Sequence, residues 1–570
     1  MSQEGPQTHR DRSWARWWKD RRPITLFGLL VSLVVIAIEI DQVRRIGDFR
    51  VDDAYITFSF SKNLAEGNGP IYSHNMRVEG YSNFLWMILI AGGYLLRLDP
   101  YLTARALSFF ALSVCLWSVY RVVSRSGRPI AGALATLYLA CCTDLTRSAL
   151  SGLETTAYVA ALAYGWSVYL LESPDRRRFS LLAFTPTFLM RIDGFVPAVI
   201  VGCVEFASAL LTRRFSLRRY LKWALPPVLI WLAYFAWRYA YYGLPLPTTY
   251  YAKQLVDAVD SGRGFRQLVA FWQEYGLSWT LPLAAASLLV RKERSLALPL
   301  IVGTFLTWGY AAYVGGDWMP FHRFLLPGFA LYVMTLGLGL AALLSRVALP
   351  AAPVPFGRGR LLSRWALALC GSLALAYSAK RAHSATTDSS LERQKLGDIA
   401  HVQSHTLHLV DSMRFARHVV REPGDRWATD YAGVFALFTE AQVIDIWGLC
   451  NQTIALEGGA TGAHTIYGKT CPECFPRLDP HYFHPFVPFI TTPDRFKNQK
   501  EIVNFMFQGP QIDRYLKFSK NYVAGYVLDS ASGGAFWFLE KRLPDRSLAE
   551  RDVAPGMRVV YPFEESGTAR

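Results

Sequence analysis

Apolar runs about as long as a bilayer is thick, separated by short basic clusters, constrain this chain more than any other feature. The first run extends from about Ile24 to Ile40. Crossing the hydrocarbon core as a helix takes roughly 20 mostly apolar residues. Candidate spanning segments fall at 24–41, 82–97, 101–120, 129–147, 155–172, 179–190, 195–211, 222–242, 275–290, 296–314, 324–345 and 363–379. Between them sit Arg21–Arg22, Arg176–Arg178, Arg213–Arg214, Arg218–Arg219, Arg291–Lys292 and Arg358, Arg360 and Arg364. Cytoplasmic loops carry such an excess of Lys and Arg. The loops 42–81, 148–154, 191–194, 243–274 and 315–323 then face outward. An inside N-terminus and an outside C-terminal region need an odd number of crossings, whereas the series is even. The surplus lies between 82 and 120, and about eleven crossings are expected.

The chain is 52% hydrophobic and 18% charged, against about 25% charged in soluble domains. A net charge of +16 could suit nucleic acid, but the cations punctuate apolar runs, so membrane lipids are the expected partner and nucleic acid is not. Residues 1–23 read as a cytoplasmic segment. The first run lacks a small-residue cleavage site and reads as a retained helix. Residues 24–380 read as a multi-helix membrane domain. From 381 to 570, polar residues, Gly and Pro become frequent, and strand-like stretches appear at Val443–Ile446 and Tyr522–Leu528. This is the pattern of a mixed α/β soluble domain on the outer side. Cys471 and Cys474 form one CxxC, which outside the cytoplasm favours a disulfide over zinc. His401, His405 and His408 read as a solvated helix face.

The outside loop 42–81 carries the strongest local feature, Val51-Asp52-Asp53-Ala54-Tyr55. Adjacent carboxylates beside a bilayer are costly unless solvated, paired or used. They suit deprotonation of an attacking hydroxyl or a metal; they also suit capping of a helix from Ala54 to Leu64. No metal-ligand set is legible elsewhere, and a divalent cation stays an open question. Arg77 and Glu79 stand where the chain re-enters the membrane, suited to a lipid phosphate and a sugar hydroxyl or to each other. The loop Gly243–Lys253 is aromatic and Pro-rich and ends in a cation. Gly315-Gly316-Asp317-Trp318-Met319-Pro320-Phe321-His322-Arg323 opens a membrane helix. An outside Arg there needs an anion, either a phosphate or Asp317. Glu154 and the Arg191–Asp193 pair each lie beside a glycine and read as structural.

Taken in order, Asp52-Asp53-Ala54-Tyr55, Arg77-Val78-Glu79-Gly80-Tyr81-Ser82-Asn83-Phe84-Leu85-Trp86, Ser151–Thr155, Arg191–Gly194, Tyr242–Lys253, Gly315–Phe324 and Asp445-Ile446-Trp447-Gly448-Leu449 resemble the GT-C superfamily of membrane glycosyltransferases. More narrowly, the set resembles the bacterial group that includes the mycobacterial terminal β-(1→2) arabinofuranosyltransferases. The resemblance implies an α-helical polytopic membrane domain, a catalytic first outside loop and a C-terminal extracytoplasmic α/β domain, in a bacterial plasma membrane. It implies sugar transfer, with arabinofuranose as the nearest precedent, from a polyprenyl-phosphate donor to a cell-envelope glycan. It makes Asp52 the first choice of base and Asp53 the second. Lys253 and Arg323 become candidates for the carrier phosphate, and Glu79, Asp317 and Trp318 for the sugar. Tyr55, Arg77, Glu154, Tyr251 and His322 complete the expected substrate-binding set. Cys450-Asn451 departs from the family pattern, which expects an acidic residue after Gly-Leu. Two other readings stand beside this one: a lipid-linked sugar transporter and a non-catalytic sugar-binding membrane protein.

Overall fold

A computed structural model describes residues 7–172, 180–213, 215–253, 262–317, 319, 321–347, 358–384, 406, 410–411, 413–459, 469–484, 490–506 and 520–563. Trp318, His401, His405, His408 and Arg176–Arg178 lie outside the described residues.

The N-terminal part is helical: α1 (Gln7–Ile46), α2 (Asp52–Ala65), α3 (Phe84–Leu95), α4 (Pro100–Ser124), α5 (Pro129–Ala140), α6 (Thr143–Leu150), α7 (Thr155–Leu171), α8 (Thr185–Met190), α9 (Val196–Leu211), α10 (Leu217–Tyr242), α11 (Thr248–Lys253), α12 (Arg263–Glu274), α13 (Leu281–Ala286), α14 (Arg291–Tyr313), α15 (Leu326–Val347) and α16 (Arg358–Ser384). α1 runs from Gln7 through residue 23 to Ile46 as one helix. Among the described residues, three helices are long and apolar enough to cross a bilayer: Pro100–Ser124, Arg291–Tyr313 and Leu326–Arg346. The pair α5 and α6, bent by 57°, counts as a fourth if it forms one span. Against the expected eleven or so crossings, these criteria count three or four among the described residues. Several expected segments are short or broken: 179–190 and 275–290 each divide into a 3-10 turn and a six-residue helix. Others, such as α10, carry charges along their length.

The C-terminal part holds a mixed sheet. Its strands are β1 (Arg426–Thr429), β2 (Gln442–Asp445), β3 (Tyr482–His484), β4 (Ile490–Thr491), β5 (Tyr522–Asp529), β6 (Ala535–Lys541), β7 (Arg551–Ala554) and β8 (Met557–Val560). The order is β2-β1-β3-β6-β5-β8-β7, with β4 also on β6. β1 is parallel to β2 and β3, and the remaining pairs are antiparallel. A parallel pair needs a crossover, and between β1 and β2 it is the short helix Ala432–Phe438. Cys471 and Cys474 are disulfide-bonded.

That crossover helix packs on α2. A Cβ at Gly433 would lie against the backbone carbonyl of Asp52 and within 2.8 Å of the Ile56 nitrogen. Only a residue without a side chain allows the two helices this close. Ala54 to Ser61 are consequently buried on every side of α2, between the sheet region, α3 and α4.

Candidate active site

The helix α2 begins at Asp52, not Ala54, and Val51 occupies its N-cap without a side-chain bond. The two carboxylates are therefore first-turn residues, where they complement the helix dipole. Consecutive helical residues point about 100° apart. Asp52 turns toward the sheet region, and its oxygens accept the backbone N–H groups of Gly433 (3.0 Å) and Val434 (2.9 Å). Asp53 turns the other way, with Ile56 and Thr57, into a cavity of about 760 Å³.

Seven further segments close this cavity. Gly80–Asn83 and Leu153–Glu154 stand beside α2. Asn83 Nδ2 donates to Glu154 at 2.9 Å and to Thr57 Oγ1 at 3.0 Å. Gly152 has φ +87°, and a Cβ there would meet Ala54 and Tyr101 at 2.9 Å. Its absence lets the Glu154 loop reach α2. From the N-terminal side of α9 come Arg191 and Asp193, paired at 2.9 Å, with the guanidinium 4.6 Å from the Phe324 ring. α10 ends at Gly243, whose φ is +78°; the Pro-rich turn then starts α11, which supplies Thr249, Tyr250 and Lys253. Arg263 bonds the Gly315 carbonyl at 2.8 Å. Asp317 and Arg323 form a two-point pair, with one contact at 3.0 Å. Leu449 of the sheet region completes the lining.

Among the described residues the lining carries four acids, Asp53, Glu154, Asp193 and Asp317, and four cations, Arg191, Lys253, Arg263 and Arg323. Among the described residues, all but two have a hydrogen-bonding partner: Asp53 and Lys253 have none. Burial pushes the Asp53 carboxyl above its ordinary value; Arg323 and Lys253 pull it back, while Asp317 and Glu154 push it further up. Burial pushes the Lys253 ammonium below its ordinary value, against the pull of Asp53. No group of three or more His, Cys, Asp or Glu among the described residues is placed to hold a metal ion.

Several expected contacts lie elsewhere. Asp52 is engaged by backbone and does not line the cavity. Tyr55 packs on Tyr101 and Phe438. Arg77 lies 4.6 Å over the Tyr241 ring, so it pairs neither with Glu79 nor with the cavity. Glu79 is buried against Arg238. Tyr251 is replaced in the lining by its neighbour Tyr250, because the phase of α11 turns Tyr250 inward. His322 pairs with Glu274 at 2.8 Å. Asp53, Glu154, Lys253, Asp317 and Arg323 do meet in one space. The sequence reading gave Arg191 and Asp193 a structural role only, and it passed over Asn83 and Arg263. Arg263 had a signal: a cation on a loop that the charge bias itself assigns to the outer side.

No family model matches the chain. The chain is 28% identical to the terminal beta-(1->2)-arabinofuranosyltransferase of Mycobacterium tuberculosis, over 44% of this chain and 42% of that protein. It is 26% identical to the protein of the same name from Corynebacterium glutamicum, over 49% and 46%. The matched region thus spans less than half the length of these curated relatives. Among solved structures, ArnT from Cupriavidus metallidurans bound to undecaprenyl phosphate superposes with a TM-score of 0.54 at 14% identity, covering 82% of this chain and 94% of that one. The chain is a membrane protein with the fold of the GT-C glycosyltransferases, and part of its sequence is similar to the terminal β-(1→2) arabinofuranosyltransferases.

Proposed function

We propose that the protein transfers a sugar, with arabinofuranose the first choice, from a polyprenyl-phosphate carrier to a hydroxyl of a cell-envelope glycan on the outer face of a bacterial plasma membrane. One observation carries this reading: a carboxylate and an ammonium, Asp53 and Lys253, neither with a hydrogen-bonding partner among the described residues, share a cavity whose other described charges are already engaged. The names of the curated relatives and the undecaprenyl phosphate held by ArnT support the donor class.

In this mechanism Asp53 takes the proton of the acceptor hydroxyl. The hydroxyl oxygen bonds to the anomeric carbon as the bond from that carbon to the phosphate oxygen breaks, and the carrier phosphate leaves with the electron pair. A base works best when its pKa is raised toward the working pH, which burial does for Asp53. Lys253 meets the charge growing on the leaving phosphate, with Arg191, Arg263 and Arg323 around it; fixed cations in a water-poor site stabilise such charge strongly. Glu154 and Asn83, held by each other and by Thr57, supply polar contacts for sugar hydroxyls.

The test is incubation of the purified protein with several polyprenyl-phosphate sugars and a glycan acceptor. The expected result is loss of sugar from one carrier with matching gain by the acceptor. Movement of an intact sugar lipid across a vesicle membrane without transfer identifies a transporter. Binding with neither outcome identifies a sugar-binding protein.

A further inference from the structure

The two neighbouring carboxylates of α2 serve different surfaces. The side chain of Asp52 reaches the helix Ala432–Phe438 from 381 residues earlier in the chain and accepts two of its N–H groups. Tyr72 secures the same end of that helix, donating its hydroxyl proton to the Ala432 carbonyl at 2.6 Å. Ser73 Oγ accepts the Val443 N–H at 3.1 Å, at the edge strand β2. Together with the close backbone approach at Gly433, these contacts set the rotation of α2 about its own axis. That rotation decides which residues of α2 face the cavity, because a turn of about 100° exchanges one helical position for the next.

We propose that Asp52 is a positioning residue: a latch that clamps the C-terminal sheet region to the first outside loop and so holds Asp53 in the cavity. The inference rests on Asp53 being the base, and it deepens that reading. Both oxygens of Asp52 are committed to N–H donors, so its carboxylate is occupied where that of Asp53 is open. The sheet region thereby has a task in catalysis although, among the described residues, only Leu449 of it lines the cavity.

The experiment combines Asp52→Asn, Gly433→Ala and their double variant with two readouts: transfer kinetics, and hydrogen exchange at the Gly433 and Val434 amides. The expected result is faster exchange at both amides in Asp52→Asn. Turnover falls about tenfold to a hundredfold, the size of effect a misplaced reacting group produces, while the donor KM changes by less than about twofold. The acid limb of the pH–rate profile stays where it was, because the base is unchanged. Gly433→Ala matches Asp52→Asn, and the double variant is no worse than either, since both break one contact. Abolished transfer with the amides still protected overturns the latch and makes Asp52 a chemical group. Exposed amides with unchanged kinetics overturn it too. If the wild type transfers no sugar from any lipid phosphate, the functional reading fails; the exchange arm still decides the contact, and unchanged protection in Asp52→Asn overturns it.

Discussion

Glu79 and Arg238 close on each other in the interior, 159 positions apart in sequence, with Arg238 Nε donating to Glu79 Oε1 at 2.9 Å. Each side chain is only 3% exposed. Arg238 also donates to the Pro245 carbonyl at 2.6 Å, and the Glu79 carbonyl accepts the Thr248 N–H at 3.0 Å. The pair is thus a strut between the loop that joins α2 to α3 and the turn that starts α11, and so it sets where α11, which carries Lys253, begins.

Breaking that strut from one side leaves a buried charge without its partner, which costs about 3–5 kcal/mol. Glu79→Gln and Arg238→Met are each expected to lose that much stability in denaturant titrations of the detergent-solubilised protein. Replacing both by apolar residues of similar volume returns much of the loss. A Glu79 that bound only sugar would leave the unfolding midpoint of Glu79→Gln at the wild-type value.

Asp53→Asn is expected to lower turnover by about 10²–10⁴-fold, the usual contribution of a general base, with the fold intact. The active form is the carboxylate, and its folded pKa is raised. The wild-type rate therefore climbs with pH through a value above the usual aspartate value of about 3.9 and levels off beyond it. The residual rate of Asp53→Asn is flat across that range. A wild-type rate already at its plateau at pH 4 removes Asp53 as the base.

Lys253→Met removes the cation of the lining that has no hydrogen-bonding partner among the described residues. Loss of a preorganised charge at a leaving group costs about 10²–10³-fold, and kcat/KM for the lipid donor is expected to fall by that order. Burial lowers the ammonium pKa, so the wild-type profile turns down on the basic side below the ordinary lysine value of about 10.4. Lys253→Met lacks that descending limb. An unchanged limb in the variant assigns it to another group.

The sequence exposed what depends on local pattern. Apolar length and basic clusters revealed a membrane protein, and strand-like stretches between turn residues marked β2 and β5 to within a residue. Asp53, Glu154, Lys253, Asp317 and Arg323 were identifiable because each charge stands beside a glycine, proline or apolar run where it needs a reason. Choosing between neighbours was beyond it. Asp52 against Asp53, and Tyr250 against Tyr251, turn on helix phase, and for α2 that phase is set by Gly433, far along the chain. The fate of Glu79 depended equally on Arg238, a cation inside what reads as a spanning helix. Counting crossings meets a related obstacle: prolines and charges break runs that composition alone reads as continuous.

Asp425, just before β1, accepts from His481 Nδ1 at 2.8 Å, from both terminal nitrogens of Arg546 and from the backbone N–H groups of Arg421 and Glu422. Burial opposes ionisation, but the hydrogen bonds of His481 and Arg546 outweigh it and hold the carboxyl well below its usual range. A depressed folded pKa contributes stability above the unfolded value, about 3.9, and that stability is lost as pH falls toward the folded one. Asp425→Asn is therefore expected to destabilise the sheet region by about 3 kcal/mol at neutral pH, as for a buried pair broken from one side. The gap between variant and wild type should narrow progressively below pH 4. Unfolding curves followed by tryptophan fluorescence between pH 3 and pH 7 check both parts, and a gap independent of pH would mean that the Asp425 charge is not what holds Arg546 and His481. Because β1 leads directly into the helix that seats on α2, partial unfolding of the variant should also expose the Gly433 and Val434 amides. Exchange at those two positions then reports whether the strand and the latch open as one unit.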